Sequence, residues 1–182
     1  MSQPPAPEKT KIRFVRGFEP KFPIPKTVKT AGLTHRFAVI QETWRADTAA
    51  TVGMFFDEAL WRRLLAFAAQ FAPGLRLAIL PTQNGKEMPP EDFLAAWDKQ
   101  DADAREPPAI LARDARQSPV LYIEPEYWTR VGGPMPYHDS YTYSIYSSGD
   151  LGDRVMRFLT EAEAARGWEL STVVLKPGDD GL

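Results

Sequence analysis

The clearest periodicity in the chain runs from Phe56 to Phe71, where Leu60, Trp61, Leu64, Leu65, Ala68 and Phe71 recur at spacings of three and four. That spacing lays one apolar stripe along an α-helix. Asp57 and Glu58 fall in its early turns, where the helix dipole favours acids, and Pro73-Gly74 ends it. A second stripe, Leu151, Val155, Phe158, Leu159 and Ala162, predicts another helix. Ser147-Ser148-Gly149-Asp150 supplies its cap candidates and Gly167 is placed as its C′ residue. Between the two, Pro90 stands where a first-turn proline is tolerated, and Phe93, Leu94 and Trp97 give a short helix its apolar face.

The other patterned segments read as strands. Lys11–Phe18 alternates, with Ile12, Phe14 and Phe18 on one side. His35–Trp44 is apolar enough to be largely buried. Leu75–Leu80 and Val120–Ile123 are short apolar runs typical of interior strands, and Ser171–Leu175 ends the series. Ser140–Ser147 alternates strictly: Tyr141, Tyr143 and Ile145 face one way, Ser140, Thr142, Ser144 and Tyr146 the other. Connections announce themselves by proline and glycine. Glu19–Lys26 holds Pro20, Pro23 and Pro25 and must be extended, residues 45–54 are a polar-to-glycine link, and Asn84-Gly85 favours a tight turn. Residues 101–117 are charged and interrupted by Pro107-Pro108, and the pattern admits a helical turn through Ile110, Leu111 and Asp114. Gly132-Gly133-Pro134 and Pro136 force irregular backbone between Trp128 and Tyr137.

The resulting order is strand, strand, helix, strand, helix, strand, strand, helix, strand. Local strand pairs mixed with helical crossovers predict a single α+β domain, with a mixed or mainly antiparallel sheet packed against about three helices. The domain is expected over residues 11–176, after a Pro-rich disordered lead-in over 1–10 and before a loose tail over 177–182.

Composition narrows the function classes. The chain has 182 residues, 43 % hydrophobic and 12 % aromatic, which suits one domain with a sizeable core. Its net charge of −2 argues against a protein built around phosphate neutralisation. It has no cysteine, which removes disulfides, thiolate metal sites and cysteine nucleophiles together. MSQPPAPEKTKIRF holds no apolar run of signal-peptide type, and stretches such as Leu64–Ala69 are far too short to span a membrane. A cytoplasmic location is the expectation. Charge is uneven: residues 1–36 are basic and residues 87–106 acidic, runs that ordinarily mark solvated faces.

All six tyrosines fall between Tyr122 and Tyr146, together with Trp128 and His138. Tyrosine joins a large apolar ring to a hydroxyl, so such a cluster means strands with a wet edge or a contact surface. No nucleophile elbow, zinc-binding helix, phosphate loop or dinucleotide fingerprint accompanies it. The two histidines differ in promise. His35 opens a strand and reads as structural. His138 sits beside Asp139 in a segment rich in glycine and proline. Adjacent residues of an extended segment point to opposite sides, so Glu124, Glu126 or Asp150 would have to orient it. Two histidines, no cysteine and short acidic runs imply no metal and no cofactor. Glu124 and Glu126 share one face of a strand end, a spacing that any solvent-facing pair also shows.

These observations point to a cytoplasmic protein-binding domain that captures or masks another protein. A toxin domain is one such partner, which would make the chain a bacterial toxin-neutralising (immunity-type) protein. Its expected contact residues are Tyr127, Trp128, Tyr137, His138, Tyr141 and Tyr143, with Glu124, Glu126 and Asp139 supplying charge complementarity. Acidic residues around the aromatics argue against nucleic acid. The alternative is a small hydrolase or transferase with His138 as general base in an aromatic-lined cleft.

Overall fold

The computed structural model describes residues 28, 30–45, 57–71, 74–81, 86–101, 105, 107–131, 137–165 and 171–174. Within them the elements follow the order β1 (Thr34–Arg45), α1 (Glu58–Gln70), β2 (Arg76–Leu80), α2 (Pro90–Trp97), β3 (Ala109–Arg113), β4 (Pro119–Val131), β5 (Tyr137–Ser147), α3 (Leu151–Ala164) and β6 (Ser171–Val174). The expected strand over Lys11–Phe18, the lead-in, the Pro-rich segment, the Asn84-Gly85 turn, the Gly132-Gly133-Pro134 break, the Gly167 cap and the tail lie outside the described residues.

The six strands form one sheet in the order β2-β3-β4-β5-β1-β6, and each neighbouring pair is antiparallel. The fold is therefore α+β, with an antiparallel sheet packed against three helices. Ala38, Ile40, Ile79, Ile110, Ala112, Leu121, Ile123, Tyr143 and Ile145 form the sheet's share of the main core. Leu60, Trp61, Leu64, Leu65 and Ala68 of α1, Phe93 and Trp97 of α2, and Val155, Leu159 and Ala162 of α3 complete it. Each fully buried large apolar side chain contributes about 1.5–3 kcal/mol by leaving water. Alternate residues of the central strands join a second cluster, in which Ala109, Leu111 and Tyr122 pack with Val28, and Leu33, Leu80 and Tyr146 pack against them.

That two-sided burial explains one departure from the sequence reading. Ile110 and Leu111 belong to strand β3, not to a helical turn. Ala109–Ala112 is apolar throughout because odd and even positions are both buried, and a short continuous apolar run carries no period to separate strand from helix.

Local chemistry sets the ends of the elements. The Asp57 carboxylate accepts from the Leu60 N–H at 2.9 Å and so caps α1, while Pro90 occupies the first turn of α2. The β3–β4 hairpin turns on Asp114, whose Oδ1 accepts from the N–H groups of Arg116 and Ser118, both at 2.9 Å. Gln117 closes this turn with φ of 65°, in the left-handed region. Proline limits the β3–β4 ladder near the start of β3. The Val120 carbonyl accepts from the Ser148 N–H, so even-numbered residues of β4 direct their backbone groups toward β5. Pro125 therefore faces the β3 side, has no N–H to donate, and the β3–β4 ladder ends at Ile123.

Candidate functional site

β4 and β5 are 13 and 11 residues long, whereas β2 and β3 have 5 and β6 has 4. The distal halves of β4, β5 and β1 consequently run on as a three-stranded ribbon beyond their neighbours, among the described residues. Its register brings most of the sequence-predicted residues together. Tyr141 pairs with Tyr127 and Gln41, and Ser140 with Trp128 and Glu42. Asp139 pairs with Thr129 and Thr43, His138 with Arg130 and Trp44, and Tyr137 with Val131 and Arg45. Cross-strand partners stand about 4.5–5.5 Å apart, so aromatic residues distant in sequence become close neighbours. Trp44 is one the sequence reading missed; it lies some ninety positions from His138, and only the register unites them.

The stretch from Tyr127 to Asp139, expected to be irregular, is mostly paired strand. β4 continues to Val131 and β5 begins at Tyr137, so any irregular backbone is confined to the residues between them. Residues of β-branched and aromatic type hold both strands extended on either side of the intervening glycines and prolines.

Two of the expected contact residues lie in the interior instead. Tyr143 is 0 % exposed and belongs to the main core, opposite Ala38 and Pro125. Glu124 is 2 % exposed, in register with Ser144 at the centre of the sheet, so it offers no surface charge to a partner. Alternation showed which positions share a face, but not that both faces of the sheet are buried at this point. Glu126 stands two register rows further on, opposite Thr142.

His35 is the better-defined histidine. Its Nε2 lies 2.5 Å from Ser144 Oγ, and its ring stacks on Tyr146 with centroids 3.9 Å apart and planes at 12°. Phe37 lies 4.5 Å from the same imidazole, and Tyr146 meets Tyr122 at 6.0 Å. The Ser144 hydroxyl belongs to a residue with 0 % exposure, so no substrate reaches it and the pair holds strands together rather than presenting a nucleophile. The register places none of Glu124, Glu126 and Asp150 beside His138, whereas Glu42, opposite Ser140, stands two residues along β1 from its partner Trp44. Glu126 is in register with Thr142, four residues along β5, which is about 14 Å of strand. Glu124 is further still, and Asp150 lies in the turn beyond the far end of β5. Among the described residues no group of three or more histidine, cysteine or acidic side chains is placed to hold a metal ion.

The acidic run over residues 87–106 is not wholly a solvated face. Glu87 binds Arg113 and Arg76, at 2.5 and 3.3 Å, and ties the β2–β3 edge to the loop before α2. Asp98 binds Arg62 at 2.5 Å. Glu58 binds Arg105 at 2.8 Å and Arg62 at 2.9 Å, and both guanidinium groups sit over the Trp97 ring, 5.7 and 5.3 Å from its centroid respectively. Partial burial acts to raise the Glu58 pKa, but hydrogen bonds and charge from Arg105 and Arg62 outweigh it and hold the carboxyl below its ordinary value. No helix among the described residues is long and apolar enough to cross a membrane. Comparison with protein-family models, with curated proteins and with solved structures finds no match to this chain.

Proposed function

We propose that this chain is a cytoplasmic binding protein that captures or masks a partner protein through the distal ribbon of β1, β5 and β4. The observation that carries the reading is the register, which sets Tyr127, Tyr137 and Tyr141 on one face and Trp44, Trp128 and His138 on the other face of three adjacent strands that outrun the rest of the sheet. Aromatic residues dominate binding energy at protein interfaces because they bury large area at small entropic cost. Asp139, Glu42 and Glu126 lie in the same ribbon and supply charge that selects a partner and speeds encounter. The corrected anchor set omits Tyr143 and Glu124, which are interior.

By analogy, the partner is a toxin domain and the chain an immunity-type protein, since neutralisation needs a complementary surface and no reaction machinery. The experiment is affinity measurement with Trp128→Ala and Tyr137→Ala against the captured protein. Each true anchor costs about 2 kcal/mol or more on truncation. Unchanged affinity in both variants, with both folded, would sink the reading.

A further inference from the structure

We infer that the α1/α3 face carries a second docking surface, built to receive an acidic segment of a partner protein. α1 and its C-cap residue place Arg63, Phe67 and the buried Phe71 at i, i+4 and i+8, and α3 presents Arg154 and Phe158 at i and i+4. The five side chains form one ladder across the two helices. The Arg63 guanidinium lies 5.5 Å over the Phe158 ring, and Phe158 stacks on Phe67 with centroids 4.5 Å apart and planes at 15°. Phe67 meets Phe71 edge-on at 4.6 Å, and the Arg154 guanidinium closes the ladder 4.1 Å over Phe71. Phe67 and Phe158 are half-buried, while Arg63, Arg154 and the neighbouring Arg157 are exposed.

Five arginines among the described residues are paired with acids, and these three are not. Arg36, Arg62, Arg76, Arg105 and Arg113 each reach a carboxylate within 3.3 Å. Arg63, Arg154 and Arg157 form no ion pair among the described residues. Three nearby carboxylates are already committed: Asp57 caps α1, Glu58 binds Arg62 and Arg105, and Asp153 binds Arg36, while exposed Asp150 and Glu161 form no ion pair with these arginines among the described residues. Aromatic faces hold the two end guanidinium groups in place, so their hydrogen-bonding forks are oriented before any ligand arrives. Planar forks match carboxylates in bidentate geometry. The half-buried phenylalanines between them offer a platform for the apolar side chains of the same segment. A peptide segment supplies carboxylates for the forks together with apolar side chains for the phenylalanine platform, which a phosphate backbone does not.

The full chain is titrated into a fluorescein-labelled decaglutamate peptide and followed by anisotropy. Saturable binding that weakens as salt rises is the expected result. An Arg63→Glu/Arg154→Glu variant should bind about tenfold or more weakly, as reversal replaces attraction by repulsion. Arg116→Glu, on the β3–β4 turn, should bind as the parent does, and Trp128→Ala likewise, since this surface is independent of the ribbon. The neutral pair Arg63→Gln/Arg154→Gln, with an unchanged circular dichroism spectrum, should also bind more weakly. Equal binding by the reversed variant, an equal loss with Arg116→Glu, or tighter binding of duplex DNA or phosphatidylserine vesicles than of the peptide would overturn the proposal.

Discussion

Nε2 of His35 stands 2.5 Å from Oγ of Ser144, across 109 residues of sequence, and the contact joins β1 to β5 on the sheet face away from the helices. Ser144 is wholly buried, so the imidazole and the hydroxyl satisfy each other where water cannot. Ser144→Ala should destabilise the fold by about 1–3 kcal/mol, read from urea denaturation midpoints at constant m-value. Partner capture should be unchanged at concentrations where the variant is folded, because the pair is structural.

Gly152 opens α3 against β5. A Cβ added there would overlap Ser147 Oγ and Arg36 Nη1, and Arg36 is itself held by Asp153 at 2.9 Å. Alanine is the better helix former by about 1 kcal/mol, so propensity alone predicts that Gly152→Ala stabilises. The overlap predicts the opposite, a loss of about 1–3 kcal/mol from displacing α3. Thermal unfolding decides between the two signs.

Gln117 adopts φ of 65° in the Asp114–Ser118 turn. The left-handed conformation costs an L-residue about 1–2 kcal/mol, and glycine adopts it freely while losing more entropy on folding. Gln117→Gly should therefore raise stability by about 0.5–1 kcal/mol, visible as a higher denaturation midpoint. A lowered midpoint would mean that the Gln117 side chain contributes more than the backbone strain removes.

Glu58 gives a pH dependence of definite sign. Its folded-state pKa is depressed by Arg105 and Arg62, so its stabilisation is present above the ordinary carboxylate value of 4.5 and lost as pH falls through the depressed one. Glu58→Gln should lower stability at pH 7 and flatten the stability–pH curve below about pH 5 relative to the parent. Parallel curves would show that the Arg62–Glu58–Arg105 cluster adds nothing.

Legibility in the sequence followed periodicity. α1 and α3 were plain because their buried residues recur every three or four positions, and β5 because Tyr141 to Tyr146 alternate. β3 carries no legible period because Ala109–Ala112 is buried on both faces. The interior places of Glu124 and Tyr143 were hidden for the same reason: alternation assigns a face but not what covers it. The His35–Ser144 contact and the nearness of Trp44 to His138 depend on strand register across long separations, which no local pattern encodes. The Arg63–Phe67–Phe71 spacing was present in the sequence, but its pairing with Arg154 and Phe158 required the packing of α1 on α3.

The ribbon's role as a capture surface is tested most directly by immobilising the chain and its Trp128→Ala/Tyr137→Ala variant side by side and exposing both to lysate of the native host. The account predicts one protein retained in near-equal molar amount by the parent and lost from the variant, while both immobilised chains give the same far-ultraviolet circular dichroism. Retention of that protein by the variant, or no stoichiometric protein on the parent, would contradict it.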